Sequence, residues 1–247
     1  CGCLLVAQAS WGPIRQKAGV IMASDLQLTE QPAPDTITAL PQAARASAGY
    51  ALVKRAIDVT GSLMALAMLS VPMLITALLV RLESRGPAFY WHYRLGENGV
   101  PFRFYKFRSM VVNAHETRGD LLEHNEADGP IFKIRRDPRI TRVGRWIRKT
   151  SLDETPQLLH VLQGRMSLVG PRPPLPEEVA NYEPWQLERL SVRPGLTCIW
   201  QVSGRSDIPF ERWVELDIQY VRTRSLLLDL KILLLTPWAV ISGRGAY

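Results

Sequence analysis

A chain of 247 residues is long enough for one sizeable core or one domain with appendages, and its 47% hydrophobic content would, as an average, pass for a soluble protein. The formal net charge of +7 suits an anionic partner (nucleic acid, anionic lipid or a phosphorylated substrate), and composition does not choose among them. Only Cys1, Cys3 and Cys198 carry thiols, which excludes a disulfide framework and a cysteine metal cluster.

Residues 1–49 lack periodicity and are rich in Ala, Gln, Pro, Ser and Thr, so they are expected to form a flexible tail. The leading Cys1 fits a processed lipoprotein or a fragment, and Met22 is an alternative start. The character changes at Lys54-Arg55: from Val59 to Val80 no residue is charged, which is long enough for a membrane segment. Ser70-Val-Pro72 interrupts that run, and proline removes a helix hydrogen bond. Both flanks are basic, with Lys54 and Arg55 before and Arg81 and Arg85 after. A straight span would put one basic flank on the wrong side of the membrane. A re-entrant helix over 50–85, broken at Pro72, would keep both inside. An ordinary span with a tolerated proline and a buried helix of a soluble protein are the alternatives. Asp58 is expected to pair with Lys54 or Arg55.

Gly-bounded aromatic runs in 86–110 predict a small β-hairpin, and 111–130 reads as a polar helix and loop. A basic stretch runs from Lys133 to Lys149, either as solvated or lipid-facing surface or as part of a site. A helical pattern follows at Leu158, Leu159 and Leu162, then a turn at Gly170-Pro-Arg-Pro-Pro174. Residues 177–190 read as an amphipathic helix, 193–205 as loop, and 210–222 and 226–241 as helices. The last is apolar but too short to span, and with Trp238 it is expected at the membrane interface.

Asp153 and Glu154 stand just before a helical pattern. Ser151-Leu-Asp-Glu154 matches a capping box, whereas Pro156 fits better if Asp153 is itself the cap. A helix N-terminus with Arg145 and Arg148 nearby would lower the pKa of a carboxylate, leaving it free to ligate Mg²⁺ or attack phosphorus. Arg172 lies between two prolines, which stiffen the loop that presents its fork to a phosphate; a plain surface turn is the alternative. Arg193 and Arg205 also adjoin glycine or proline. Asp217 and Asp229 are expected to pair with Arg222 or Arg224. His92, His115, His124 and His160 have no metal-site spacing.

Taken together and in order, several motifs resemble the bacterial sugar transferase family, the monotopic polyprenyl-phosphate phosphoglycosyl transferases. They are Lys54-Arg55-x-x-Asp58, the Pro-broken apolar run, Gly86-Pro87, Arg94-x-Gly96, Tyr105-Lys-Phe-Arg108-Ser-Met110, Thr150-Ser-Leu-Asp-Glu154, Met166-Ser-Leu-Val-Gly-Pro-Arg-Pro173, Val192-Arg-Pro-Gly195, Gln201-Val-x-Gly-Arg205 and Leu226-x-x-Asp229. Asp128-Gly-Pro-Ile-Phe-Lys133 and the Ser-Gly-Arg-Gly-Ala-Tyr247 ending look most like the branch that starts exopolysaccharide units. The resemblance implies a predominantly helical α+β fold with a re-entrant membrane helix, a small hairpin, interfacial helices and a cytoplasmic catalytic domain over 86–247. It implies transfer of a hexose-1-phosphate from a UDP-sugar to undecaprenyl or another polyprenyl phosphate at the bacterial inner membrane, with release of UMP. Asp153 would be the nucleophile, Glu154 its partner, the pair would hold Mg²⁺, and Arg148 and Arg172 would contact phosphate. Lys106, Arg193, Arg205 and Asp217 fall in matching motifs with open roles. Galactose, glucose and N-acetylated sugars remain open, as do a homo-oligomer and the role of Cys198. No nucleic-acid partner is expected. Direct transfer in a ternary complex and a membrane-tethered basic adapter binding anionic lipid or nucleic acid are the competing readings.

Overall fold

The computed structural model describes residues 46–114, 116–243 and 245, so the expected tail lies outside the described residues as far as residue 45, and so does His115. The first helix, α1 (Ala48–Glu83), runs for 36 residues, about 54 Å at 1.5 Å per residue. It begins two positions before the expected boundary at 50, where the Ser47 side chain accepts from the Tyr50 amide at 3.2 Å. It is long and apolar enough to cross a membrane by length and composition. Pro72 lies inside it and the helix continues on both sides, so the expected break is a lost backbone hydrogen bond within one helix.

One face of α1 packs on the rest of the molecule along its whole length. Asp58, Ser62, Thr76 and Val80 are buried, and Ala65, Leu66, Leu69, Met73 and Ala77 pack between them onto two core clusters. The opposite face leaves Leu63, Met64, Met68, Val71, Leu74 and Leu82 exposed. Asp58 does not pair with the neighbouring cations. It accepts from Ser167 Oγ at 3.0 Å and the Leu168 amide at 2.9 Å, because its helix face meets that strand.

The predicted hairpin is present: β1 (Phe89–Leu95) pairs antiparallel with β2 (Pro101–Phe107), register Phe89↔Phe107 to Leu95↔Pro101. Asn98 (φ 57°) and Gly99 (φ 72°) supply the left-handed backbone that closes the turn. The polar segment after the hairpin contains a 3₁₀ helix at Glu116–His124. Helix α2 (Arg142–Lys149) is capped by the Thr141 side chain on the Gly144 amide, 2.9 Å. A Cβ on Gly144 would stand 2.0 Å from the Ser109 carbonyl, so only glycine lets α2 approach the chain after β2 so closely.

A 3₁₀ helix, Leu152–Gln157, leads into the short α3 (Leu158–Leu162). Then β3 (Ser167–Val169) pairs in parallel with β4 (Gly195–Thr197). Between them 177–190 is not one amphipathic helix. It divides into α4 (Pro176–Val179) and a 3₁₀ helix, Pro184–Ser191, because Pro184 cannot donate into a continuing helix. The expected loop 193–205 holds β4 and α5 (Ile199–Ser203). The last two helices, α6 (Phe210–Thr223) and α7 (Leu226–Ser242), match expectation, and α7 exposes Leu227, Leu230, Leu234 and Trp238. The main core, built on Phe102, Phe104, Leu158, Val161, Met166 and Tyr220, joins α1, the hairpin, α3, β3 and α6. The fold is thus predominantly helical α+β, with two small sheets and one long apolar helix among the described residues.

Candidate active site

Asp153 and Glu154 lie on the 3₁₀ turn between α2 and α3. The residue before that turn, Ser151, is left-handed (φ 57°) and makes no capping bond, so the expected capping box does not form. The chain leaves α2 sharply here, with the Ser151 amide donating to the Arg148 carbonyl at 3.1 Å. A non-glycine residue in this region is strained, and such strain persists only where packing over-determines it. Arg205 is also left-handed (φ 54°) and its guanidinium reaches Ser151 Oγ at 3.5 Å.

Cations from four parts of the chain surround the pair. Lys106 comes from β2, Arg148 from the last turn of α2, and Arg172 from the proline loop. Arg94 comes from β1. Glu154 pairs with Arg172 at 3.1 Å, and Arg148 Nε donates to Ser109 Oγ at 2.9 Å. Arg145, expected beside the pair, is exposed on the outer face of α2. It precedes Arg148 by three residues, but the packed face carries only Arg148 inward.

The two carboxyls differ. Burial raises Asp153 to about 6, Glu154 adding to the push against Lys106, Arg148 and Arg172. This reverses the sequence expectation of a lowered value, because desolvation and the adjacent charge outweigh the cations. Burial would raise Glu154 as well, but Arg172, Lys106 and Arg94 hold it below the usual range. Burial, with Arg148 close by, brings Lys106 down to about 8.

Prolines 171, 173 and 174 have no N–H, and the loop's carbonyls are satisfied from outside it. The Pro171 carbonyl accepts from the Gly195 amide at 2.8 Å, that of Pro174 from the Leu95 amide at 3.0 Å, and that of Pro173 from Arg94. Arg172's own carbonyl accepts from Arg189 at 3.1 Å. Arg189 is buried and ion-paired with the fully buried Asp217 at 2.5 Å. Asp217 therefore does not reach the acidic pair. It sits beneath the loop and holds the arginine that fixes Arg172. Its expected partners, Arg222 and Arg224, lie elsewhere: Arg222 pairs with Glu188 at 2.6 Å. Arg193 is likewise not brought to the pair, since it meets Glu97 at the hairpin turn, 3.3 Å away. Arg94 and Arg189 were missed as site residues. Arg94 lies inside a quoted motif, whereas Arg189 carries no local signal. Cys198 is buried, its thiol pushed up by burial, with Asp217 nearby.

Asp229, expected to pair with Arg222 or Arg224, instead meets Lys54 of α1 at 2.9 Å, Tyr50 Oη at 2.9 Å and Tyr220 Oη at 2.6 Å. Arg55 donates to the last carbonyls of α3, Val161 at 2.6 Å and Leu162 at 2.7 Å. At the other end of α1, Arg108 donates to the Ser84 and Arg85 carbonyls at 2.9 and 2.7 Å, and Glu83 accepts from the first amides of α2. Both ends of the apolar helix are thus fastened to the body that carries the acidic pair.

Fold and site together define a monotopic α+β protein whose acidic dyad is sunk among arginines and lysines. The family model described as bacterial sugar transferase matches residues 49–243, and the chain belongs to that family. Over 198 residues it is 46% identical to the galactosyl transferase CpsE of Streptococcus agalactiae, covering 80% of this chain and 44% of that protein. It is 44% identical over 203 residues to the undecaprenyl-phosphate galactose phosphotransferase of Salmonella typhimurium, covering 79% and 42%. The exopolysaccharide production protein ExoY of Rhizobium meliloti is 41% identical over 200 residues, 79% of this chain and 88% of that protein. The chain thus spans less than half the length of the first two relatives and most of ExoY.

Proposed function

We propose that this protein transfers a hexose-1-phosphate from a UDP-sugar to a polyprenyl phosphate, releasing UMP, at the cytoplasmic face of a bacterial inner membrane. One observation carries the reading: a carboxylate pair, Asp153 buried and Glu154 partly buried, among Lys106, Arg148 and Arg172 and fastened to an apolar helix. A basic adapter has no use for two acids set among its cations. The names of the galactose phosphotransferase and galactosyl transferase relatives support sugar transfer.

In this mechanism an Asp153 carboxylate oxygen attacks the β-phosphorus of the donor. The bond from that phosphorus to the bridging oxygen breaks, and the oxygen leaves with UMP. The phospho-sugar stays on Asp153 as an acyl phosphate until an oxygen of polyprenyl phosphate attacks the same phosphorus and restores the carboxylate. Arg172 and Arg148 hold phosphate oxygens with charge-assisted bonds. Among the described residues no group of three His, Cys, Asp or Glu could hold a metal. Mg²⁺ is nonetheless compatible, because it commonly uses one or two carboxylates with substrate phosphates and water. Asp153 and Glu154 would hold it, and their mutual repulsion is what a divalent ion relieves. When bound it would neutralise the diphosphate.

Incubation with a UDP-sugar and no lipid should release UMP up to one equivalent, with hexose phosphate on the peptide containing Asp153. Asp153→Asn should stay folded and lose nearly all turnover. An active Asp153→Asn variant, or an adduct on another peptide, would favour direct transfer.

A further inference from the structure

Ser109 has no place in the mechanism above, yet α2 is built around it. It is buried, two residues past the end of β2. Its carbonyl accepts from the amide of Thr141, the cap of α2, at 3.1 Å. Gly144, in the first turn of that helix, rests directly on the same carbonyl, where a Cβ would stand 2.0 Å away. From the last turn, Arg148 Nε donates to the Ser109 hydroxyl at 2.9 Å. One residue thus receives both ends of α2.

The helix arranges that reach. Positions 144 and 148 share a face, and helical side chains lean toward the N-terminus. The Arg148 side chain therefore leans back across position 144, which carries no side chain to obstruct it, toward Ser109. The backbone of Arg148 is fixed at the other side, since its carbonyl accepts from the Ser151 amide at 3.1 Å, two residues before Asp153. The 3₁₀ turn that carries Asp153 and Glu154 packs in turn on β2.

With Nε committed to Ser109, the plane of the guanidinium is set. Its two Nη groups make no hydrogen bond or ion pair to protein among the described residues. Asp153, Asp137 and Glu154 lie near the guanidinium without pairing with it. An Nη pair held in one plane suits two oxygens of one phosphate. A loose arginine would lose its rotamer freedom when that phosphate arrived, whereas this one has lost it already in folding.

We propose that Ser109 is a positioning residue of the donor site, its hydroxyl fixing the Arg148 guanidinium so that both Nη groups face the diphosphate of the nucleotide sugar. The proposal rests on the sugar-phosphate transfer reading and deepens it. The close seat of Gly144 on Ser109 then serves the site as well as the packing, because it brings the hydroxyl within reach of Arg148.

The test uses the full chain in detergent at fixed Mg²⁺, with UDP as the binding probe. Ser109→Ala should weaken UDP about three- to tenfold, the cost of ordering one freed arginine at binding. Ser109→Thr keeps the acceptor oxygen and should bind within a few-fold of wild type. Arg148→Met removes the fork and should weaken UDP about tenfold or more, the loss expected for charge-assisted contacts. In that background Ser109→Ala should change UDP affinity by less than about twofold, because no guanidinium is left to orient. A hydroxyl that only supported the packing of α2 would cost the same with or without Arg148. An equal loss in the two backgrounds, or no loss from Ser109→Ala alone, would therefore overturn the proposal. Should the alanine variant not fold, Ser109→Cys fills the site with a weak acceptor and carries the same comparison. If the coupling is present but wild type releases no UMP from a UDP-sugar, the transfer reading fails and the Ser109 assignment stands. UMP release without the coupling does the reverse.

Discussion

At the residue scale, the acidic pair is informative because its two members are driven apart. Glu154 is held ionised by Arg172 and Lys106, and Asp153 is raised to about 6. A raised carboxylate is a better nucleophile once ionised, and near neutral pH it is mostly ionised. Attack needs Asp153 deprotonated, and Mg²⁺ on the pair would lower its pKa, so the value near 6 belongs to the metal-free protein. In protein freed of Mg²⁺ by chelation, carboxyl NMR should show Asp153 titrating near 6. A midpoint near 4 would return Asp153 to an ordinary solvated carboxylate. The dyad's position was legible in the sequence, but the direction of its shift was not. Arginines five and eight residues away imply a lowered value, whereas burial, which no local spacing reveals, decides it.

At the element scale, the periodic segments were readable and the ion pairs were not. The hairpin and helices α6 and α7 follow from alternation and apolar spacing. The 177–190 segment has helical amphipathicity, yet proline chemistry divides it. Partner choice was misjudged because near neighbours were favoured, while Asp217 pairs 28 positions away with Arg189 and Asp229 pairs 175 positions away with Lys54. The Lys54–Asp229 pair is mostly buried, with side chains 17% and 5% exposed. Asp229→Ala should lower stability by about 3 kcal/mol, read as a fall in Tm of several degrees, because a cation is left in a poorly hydrated place. Adding Lys54→Met should recover part of that loss. A simple sum of the two single effects would mean that the pair is not coupled.

At the scale of the whole molecule, topology follows from attachment. Lys54 and Arg55 bind β3, α3 and α7, and Arg108 and Glu83 tie the far end of α1 to the hairpin and α2. Single cysteines replacing Gly49 and Arg85, in a background without native thiols, should both label from the cytoplasmic side only. Labelling of either from the periplasm would mean that α1 spans the bilayer.

The continuous packed face of α1 has a further consequence for how the protein can exist outside a membrane. Deleting the apolar helix is the usual route to a water-soluble enzyme, and here it would open the interior. Leu66 and Leu69 lie on the main core and Val80 beside Phe107 and Ile147, while Ser167 and Leu168 rely on Asp58 for hydrogen bonds. A chain starting after Arg85 would therefore expose its own centre, and the natural unit of folding includes the lipid-facing helix. The bilayer, or a detergent belt in its place, completes the surface of a single cooperative body.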